Sequence, residues 1–155
     1  MTTTALGEMW FDWAGRGLLL VAHTKKGPDA ETWSAMCSAL AEALKRVDEV
    51  CTLVMTDGGG PSSAQRDELA RATMGKKLRV SVISGAAAVR FIASSVALFN
   101  PTIKSFQPGD WRRGLEHVAT GSTNRAMLEQ AVSEFAQRPH AERFAVLKQI
   151  ASAPQ

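Results

Sequence analysis

Two stretches constrain this chain more than any others: Leu18–His23 (LLLVAH) and Val50–Thr56 (VCTLVMT). Each is a short, nearly continuous apolar run bounded by turn-forming or charged residues. Strands covered on both faces read this way, whereas strands with one wet face alternate. Between the two runs lies a helical stripe. Trp33, Met36, Cys37, Leu40, Leu44 and Val47 recur at spacings of three and four, and Asp29 stands ahead of them as an N-cap. Buried strands joined by an amphipathic helix imply a layered α/β domain with a mainly parallel sheet and right-handed crossovers.

The rest of the chain extends that pattern. Glu8–Ala14 (EMWFDWA) alternates large apolar and polar residues, and Gly15-Arg16-Gly17 supplies a turn, so a hairpin should open the sheet. After the second apolar run comes the glycine-rich loop Asp57-Gly58-Gly59-Gly60-Pro61. Ser62 and Gln65 have the spacing of a capping box and start a helix to about Thr73, with Gly75 placed to end it. Leu78–Ser84 alternates toward a third core strand, Gly85 leads into a helix over Ala86–Phe99, and Asn100-Pro101 stops it. Ile103–Phe106 reads as a short edge strand. Pro108-Gly109-Asp110 is a turn ending in an N-cap, followed by a helix with Trp111, Leu115 and Val118. Beyond Thr120 the strand signal vanishes, leaving two short helices, Asn124–Gln137 and His140–Ala151, broken at Pro139. The expected order is β-β-α-β-α-β-α-β-α, about five strands in a mixed, mainly parallel sheet. Residues 1–120 form the domain, and residues 121–155 are a helical extension packed on it or on a second copy.

Composition removes several classes. Of 155 residues, 45% are hydrophobic and 21% charged, which excludes a disordered or collagen-like chain. Cys37 and Cys51 are too few for a zinc ribbon or disulfide framework and read as buried thiols. The net charge of +3 is small, and the basic pairs Lys25-Lys26, Lys76-Lys77 and Arg112-Arg113 are scattered without interleaved aromatics. That argues against a nucleic-acid partner. The N-terminus has no signal-like h-region, and Arg90 interrupts the longest apolar stretch. That stretch is shorter than the ~20 residues of a spanning helix, so a cytoplasmic location is expected. No spacing of His23, His117 and His140 resembles a metal-ligand set, and no cofactor motif occurs.

The stretch Val80–Val118 (VSVISGAAAVRFIASSVALFNPTIKSFQPGDWRRGLEHV) carries a resemblance. It contains a strand, a long apolar helix, a break at Phe99-Asn100-Pro101, a short strand ending in Phe106, and an Asp110-led helix with Leu115. Over roughly Glu8–Thr120 this order is similar to the STAS fold of the anti-sigma-factor antagonists, and in particular to the SpoIIAA-like family. The resemblance implies a ligand- or protein-binding role, with no established chemistry to carry over. In phosphorylated STAS domains the regulatory Ser or Thr opens the helix after the strand that follows the first helix. The nearest equivalents here are Ser62 and Ser63. The family's compact Asp-Ser-Ser/Thr-Gly is opened in this chain by Gly58, Gly59, Gly60 and Pro61.

The candidate site is the loop Asp57, Gly58, Gly59, Gly60 with Ser62 and Ser63. It leaves the carboxyl end of a central strand and enters a helix N-terminus, where ligands of open α/β sheets bind and anions are favoured. It has neither the lysine nor the spacing of a P-loop. Ser84 and Arg90, past the next core strand, are placed to complete an anion pocket beside it. The expected function is a non-enzymatic module that binds a protein partner or a small anionic ligand through the loop and its following helix. Self-association would run through the edge hairpin, where Trp10, Phe11 and Trp13 cluster, or through the tail helices. An alternative is an enzyme acting on a phosphorylated or carboxylate substrate at the same loop, with Asp57 or His23 as acid–base group. It requires those two side chains within ~3 Å of each other. A further alternative is a lipid-associated module using the Ala86–Phe99 helix.

Overall fold

The computed structural model describes residues 7–15, 17–76, 78–87, 89–90, 102–119 and 124–154. Its strands are β1 (Met9–Trp13), β2 (Leu18–His23), β3 (Cys51–Thr56), β4 (Arg79–Ile83) and β5 (Ile103–Phe106). Its α-helices are α1 (Ala30–Ala43), α2 (Ser63–Ala72), α3 (Trp111–Val118), α4 (Arg125–Gln137) and α5 (Ala145–Ala151). The five strands form one sheet in chain order, with β1 antiparallel to β2 and the remaining neighbours parallel. The chain is thus α/β with a mixed, mostly parallel sheet. The expected helix over Ala86–Phe99 begins with helical backbone at Ala87, Val89 and Arg90, and its remainder lies outside the described residues.

Sequential strand order has a geometric consequence. Each parallel step crosses the sheet in the same direction, so right-handed crossovers deliver their helices to one face. On that face Leu19 and Val21 of β2 bury with Met9, Val50 and the α1 residues Trp33, Met36, Cys37 and Leu40. The opposite face of β2, with Leu18, Leu20 and Ala22, is equally buried. Its cover comes from beyond the last strand. Trp111 and Leu115 of α3, Val132 and Phe135 of α4, and Phe144 and Leu147 next to and within α5 join Leu53, Met55 and Ile83 in one cluster. The tail helices therefore form the second outer layer of this body. Each fully buried Leu or Phe there contributes roughly 1.5–3 kcal/mol of transfer free energy.

Local details follow the residues. Asp29 caps α1 by accepting from the Thr32 backbone, and Ser62 with Gln65 forms the complete capping box of α2. The turn from Pro108 to Asp110 is 3-10, and Asp110 occupies the N-cap position of α3 as expected, although its side chain makes no capping bond to a described residue. The helix expected over His140–Ala151 is divided: Pro139–Arg143 is 3-10, Phe144 is extended, and α5 begins only at Ala145. Helix α3 approaches the sheet closely because Gly114 lacks a side chain. A Cβ there would fall 2.6 Å from Ile83 Cδ1, while the buried Ser81 hydroxyl donates to the Gly114 carbonyl at 2.6 Å. The Trp pair of β1 divides as the pleat demands: Trp10 is buried on the tail side and Trp13 packs partly buried on the α1 side.

Candidate functional site

The carboxyl ends of the parallel strands fall level, since His23 pairs with Thr56 and Met55 with Ile83. The loops after β2, β3 and β4 therefore lie side by side. The glycine-rich loop packs against the first of them. Thr56 Oγ1 accepts from the Gly58 N–H at 3.0 Å and donates to the Gly59 carbonyl at 2.7 Å. The Gly59 and Gly27 N–H groups both donate to the Thr24 carbonyl, at 3.1 and 3.2 Å. A Cβ on Gly59 would sit 2.2 Å from Gly27 N and 2.3 Å from Thr24 O, whereas one on Gly60 would meet nothing within 4 Å. Gly59 thus holds the loop to its neighbour, while the Gly58 N–H turns back to Thr56, so both N–H groups are already bonded.

Asp57 is committed elsewhere. Its carboxylate accepts from the Ala145 N–H at 2.8 Å and from the Val146 N–H at 2.7 Å. These groups open α5, whose own preceding residue, Phe144, offers no side-chain cap. Asp57 therefore caps a helix 88 and 89 residues further along the chain. His23 continues the α1 side of β2. It is buried, its ring lies 6.4 Å from that of Trp33, and neither ring nitrogen makes a well-formed hydrogen bond to a described residue. Burial pushes its pKa down to about 4, against a smaller opposing pull from the Gly59 backbone, so the ring is neutral near pH 7. The Asp57–His23 pair that acid–base chemistry would need is not formed.

The remaining candidates separate into two places. Ser62 is occupied in the capping box, its Oγ accepting from Gln65 N at 3.1 Å, while Ser63 lies exposed at the first position of α2. Ser84 is buried. Its Oγ accepts from Ala86 N at 3.1 Å, and its carbonyl accepts from Arg90 Nη1 at 2.8 Å. Arg90 lines a cleft of about 500 Å³ with Ser105, Gln107, Asp110 and Arg113. The cleft beside Asp57, about 470 Å³, is instead lined by Lys25, Lys26, Gly85, Arg143 and Gln149 among others. Neither of these two clefts brings Arg90 together with the glycine loop. Sequence reasoning missed Arg143 and Gln149 because they reach the cleft from the tail. Lys25-Lys26 had a signal, their position directly after the carboxyl end of a central strand.

The other histidines have structural neighbours. His140 is buried and stacks on Trp10 at 4.5 Å with rings 22° apart, next to Phe135 at 4.9 Å. Burial, reinforced by Arg138, holds its pKa near 4. His117 places Nε2 2.9 Å from the Thr102 carbonyl. Among the described residues no three His, Cys, Asp or Glu side chains converge as metal ligands, and no helix is long and apolar enough to cross a membrane. Compared with protein-family models, with curated proteins and with solved structures, the chain matches none.

Proposed function

We propose that this chain is a non-enzymatic, cytoplasmic binding module of the STAS/SpoIIAA-like type, engaging a protein partner or a small anionic ligand through the Asp57–Ser63 loop and α2. The observation that carries the reading is the exposure of α2. No residue of Ser63–Ala72 is buried, and Ser63, Arg66, Asp67, Ala70 and Arg71 stand open to solvent. The helix is held to α1 largely by polar contacts: Trp33 Nε1 donates to the Gln65 carbonyl at 2.9 Å, and Ser34 Oγ to Glu68 at 2.7 Å. Leu69 and Ala72 add partly buried apolar contact. A helix fixed at one side and charged on the other is a presented surface. Ser63 is the better placed phosphoacceptor of the pair, because the Ser62 hydroxyl already caps the helix. A phosphate on Ser63 would sit at a helix N-terminus, where its charge is tolerated, and would act by changing what a partner meets.

The test is affinity capture from the native host with the wild-type chain, with Arg66→Glu/Arg71→Glu and with Ser63→Glu, each checked for unchanged unfolding. The reading predicts a partner lost with the α2 variants. Identical capture by all three chains would count against it.

A further inference from the structure

We propose that the cleft between the post-strand loops and the tail is a binding site for a small phosphate-bearing anion. The inference rests on the binding-module reading above and names a ligand class for it, at a wall of the loop facing away from α2.

The first ground is shape and place. A volume of about 470 Å³ lies within the range of small-ligand sites, and the cleft opens at the carboxyl edge of a parallel sheet. The second is charge. Five charged groups line it: Lys25, Lys26 and Arg143 against Glu8 and Asp57. Both carboxylates already have partners. Asp57 holds two backbone N–H groups, and Glu8 accepts from Thr24 Oγ1 at 2.7 Å and faces Arg143 at 3.6 Å. Among the described residues Lys25 and Lys26 form no ion pair, so two ammonium groups at one mouth have no carboxylate partner there. The third is the floor. Gly85 has no side chain, and a Cβ placed on it would lie 3.1 Å from Gln149 Oε1 and 3.4 Å from Gln149 Nε2. The Gln149 amide thus lies directly over the bare Gly85 backbone, a neutral hydrogen-bonding group in the same cleft as the lysines. Two adjacent point charges and a planar guanidinium in one cleft suit a compact multivalent anion, since lysine recognises phosphate as a point charge and arginine as a fork. The tail supplies Arg143 and Gln149, so the site exists only while the second layer is docked.

The experiment uses the full chain and inorganic pyrophosphate as probe, by titration calorimetry and thermal unfolding at low, matched ionic strength, with citrate in a parallel arm. Saturable pyrophosphate binding is expected, at least tenfold tighter than citrate. Lys25→Ala/Lys26→Ala should weaken it tenfold or more while leaving the unliganded Tm unchanged, and Gln149→Leu should weaken it severalfold. Lys76→Ala/Lys104→Ala removes the same net charge outside the cleft and should leave affinity intact. Absence of saturable binding, equal loss in both lysine pairs, or citrate binding as tightly as pyrophosphate would each overturn the assignment. Failure here with α2-dependent partner capture intact removes the ligand site alone. Failure of that capture with pyrophosphate binding intact removes the α2 docking surface instead.

Discussion

Asp57 offers the sharpest contrast between a structural and a reactive carboxylate. Its oxygens accept from Ala145 and Val146 at 2.8 and 2.7 Å, the first bond exposed and the second partly buried. In Asp57→Ala the exposed N–H is taken up by water, costing about 1 kcal/mol, typical of a lost helix cap. The partly shielded bond to a charged acceptor costs about 1.5–2 kcal/mol more. The sum, about 2.5–3 kcal/mol, corresponds to a fall of roughly 5–12 °C in Tm for a chain of this size. Asp57→Asn keeps one acceptor and should lose only about 1 kcal/mol. Urea unfolding followed by tryptophan fluorescence gives the stabilities, and hydrogen exchange at the Ala145 and Val146 amides gives the site. Wild-type stability in Asp57→Ala, with those amides protected as before, would refute the capping role and return Asp57 to the candidates for chemistry.

Other expectations follow from the same contacts. Burial holds His23 and His140 near pKa 4, below the ordinary 6.5, so below about pH 6.5 the unfolded chain binds protons that the folded chain refuses. Stability should fall by about 1.4 kcal/mol per pH unit for each histidine down to about pH 4. Denaturant midpoints from pH 7.5 to 4.5 check this: His23→Gln should flatten the slope, and a flat wild-type profile would contradict it. Gly59→Ala drives a Cβ into the backbone of Gly27 and Thr24 and should cost about 3 kcal/mol or prevent folding, whereas Gly60→Ala should change stability by under about 0.5 kcal/mol. Equal effects in chemical denaturation would show that the loop is not packed as described. Phe135→Ala, at a fully buried position of the tail layer, should cost about 3–5 kcal/mol. A loss below about 1 kcal/mol would mean that α4 adds little to the body.

What could be read in the sequence was local. The Ser62–Gln65 capping box, the Asp29 cap and the apolar run of β2 all appear where the residues point, because each depends on neighbours within one turn or one strand. The position of Asp57 at a strand end is visible in the sequence, while its partners, nearly ninety residues away, are not. The placing of Arg90 and Asp57 in different clefts is equally hidden, since it depends on which loops and helices meet in three dimensions. The tail was within reach. LLLVA in β2 needs cover on both sides, and sequential right-handed crossovers cover only one, so the remaining helices had to supply the other. Trp10 and His140 stack within that second interface, although neither residue alone announces the other.

The binding edge, the Asp57 cap and the cleft all depend on the tail being a layer of the same cooperative body. Native-state hydrogen exchange measures this most directly. The Val132 and Phe135 amides of α4 should exchange with the same free energy and denaturant dependence as the Leu20 and Leu53 amides of the sheet, through global unfolding alone. Exchange of the α4 amides through a separate opening of lower energy, with the sheet still protected, would contradict it.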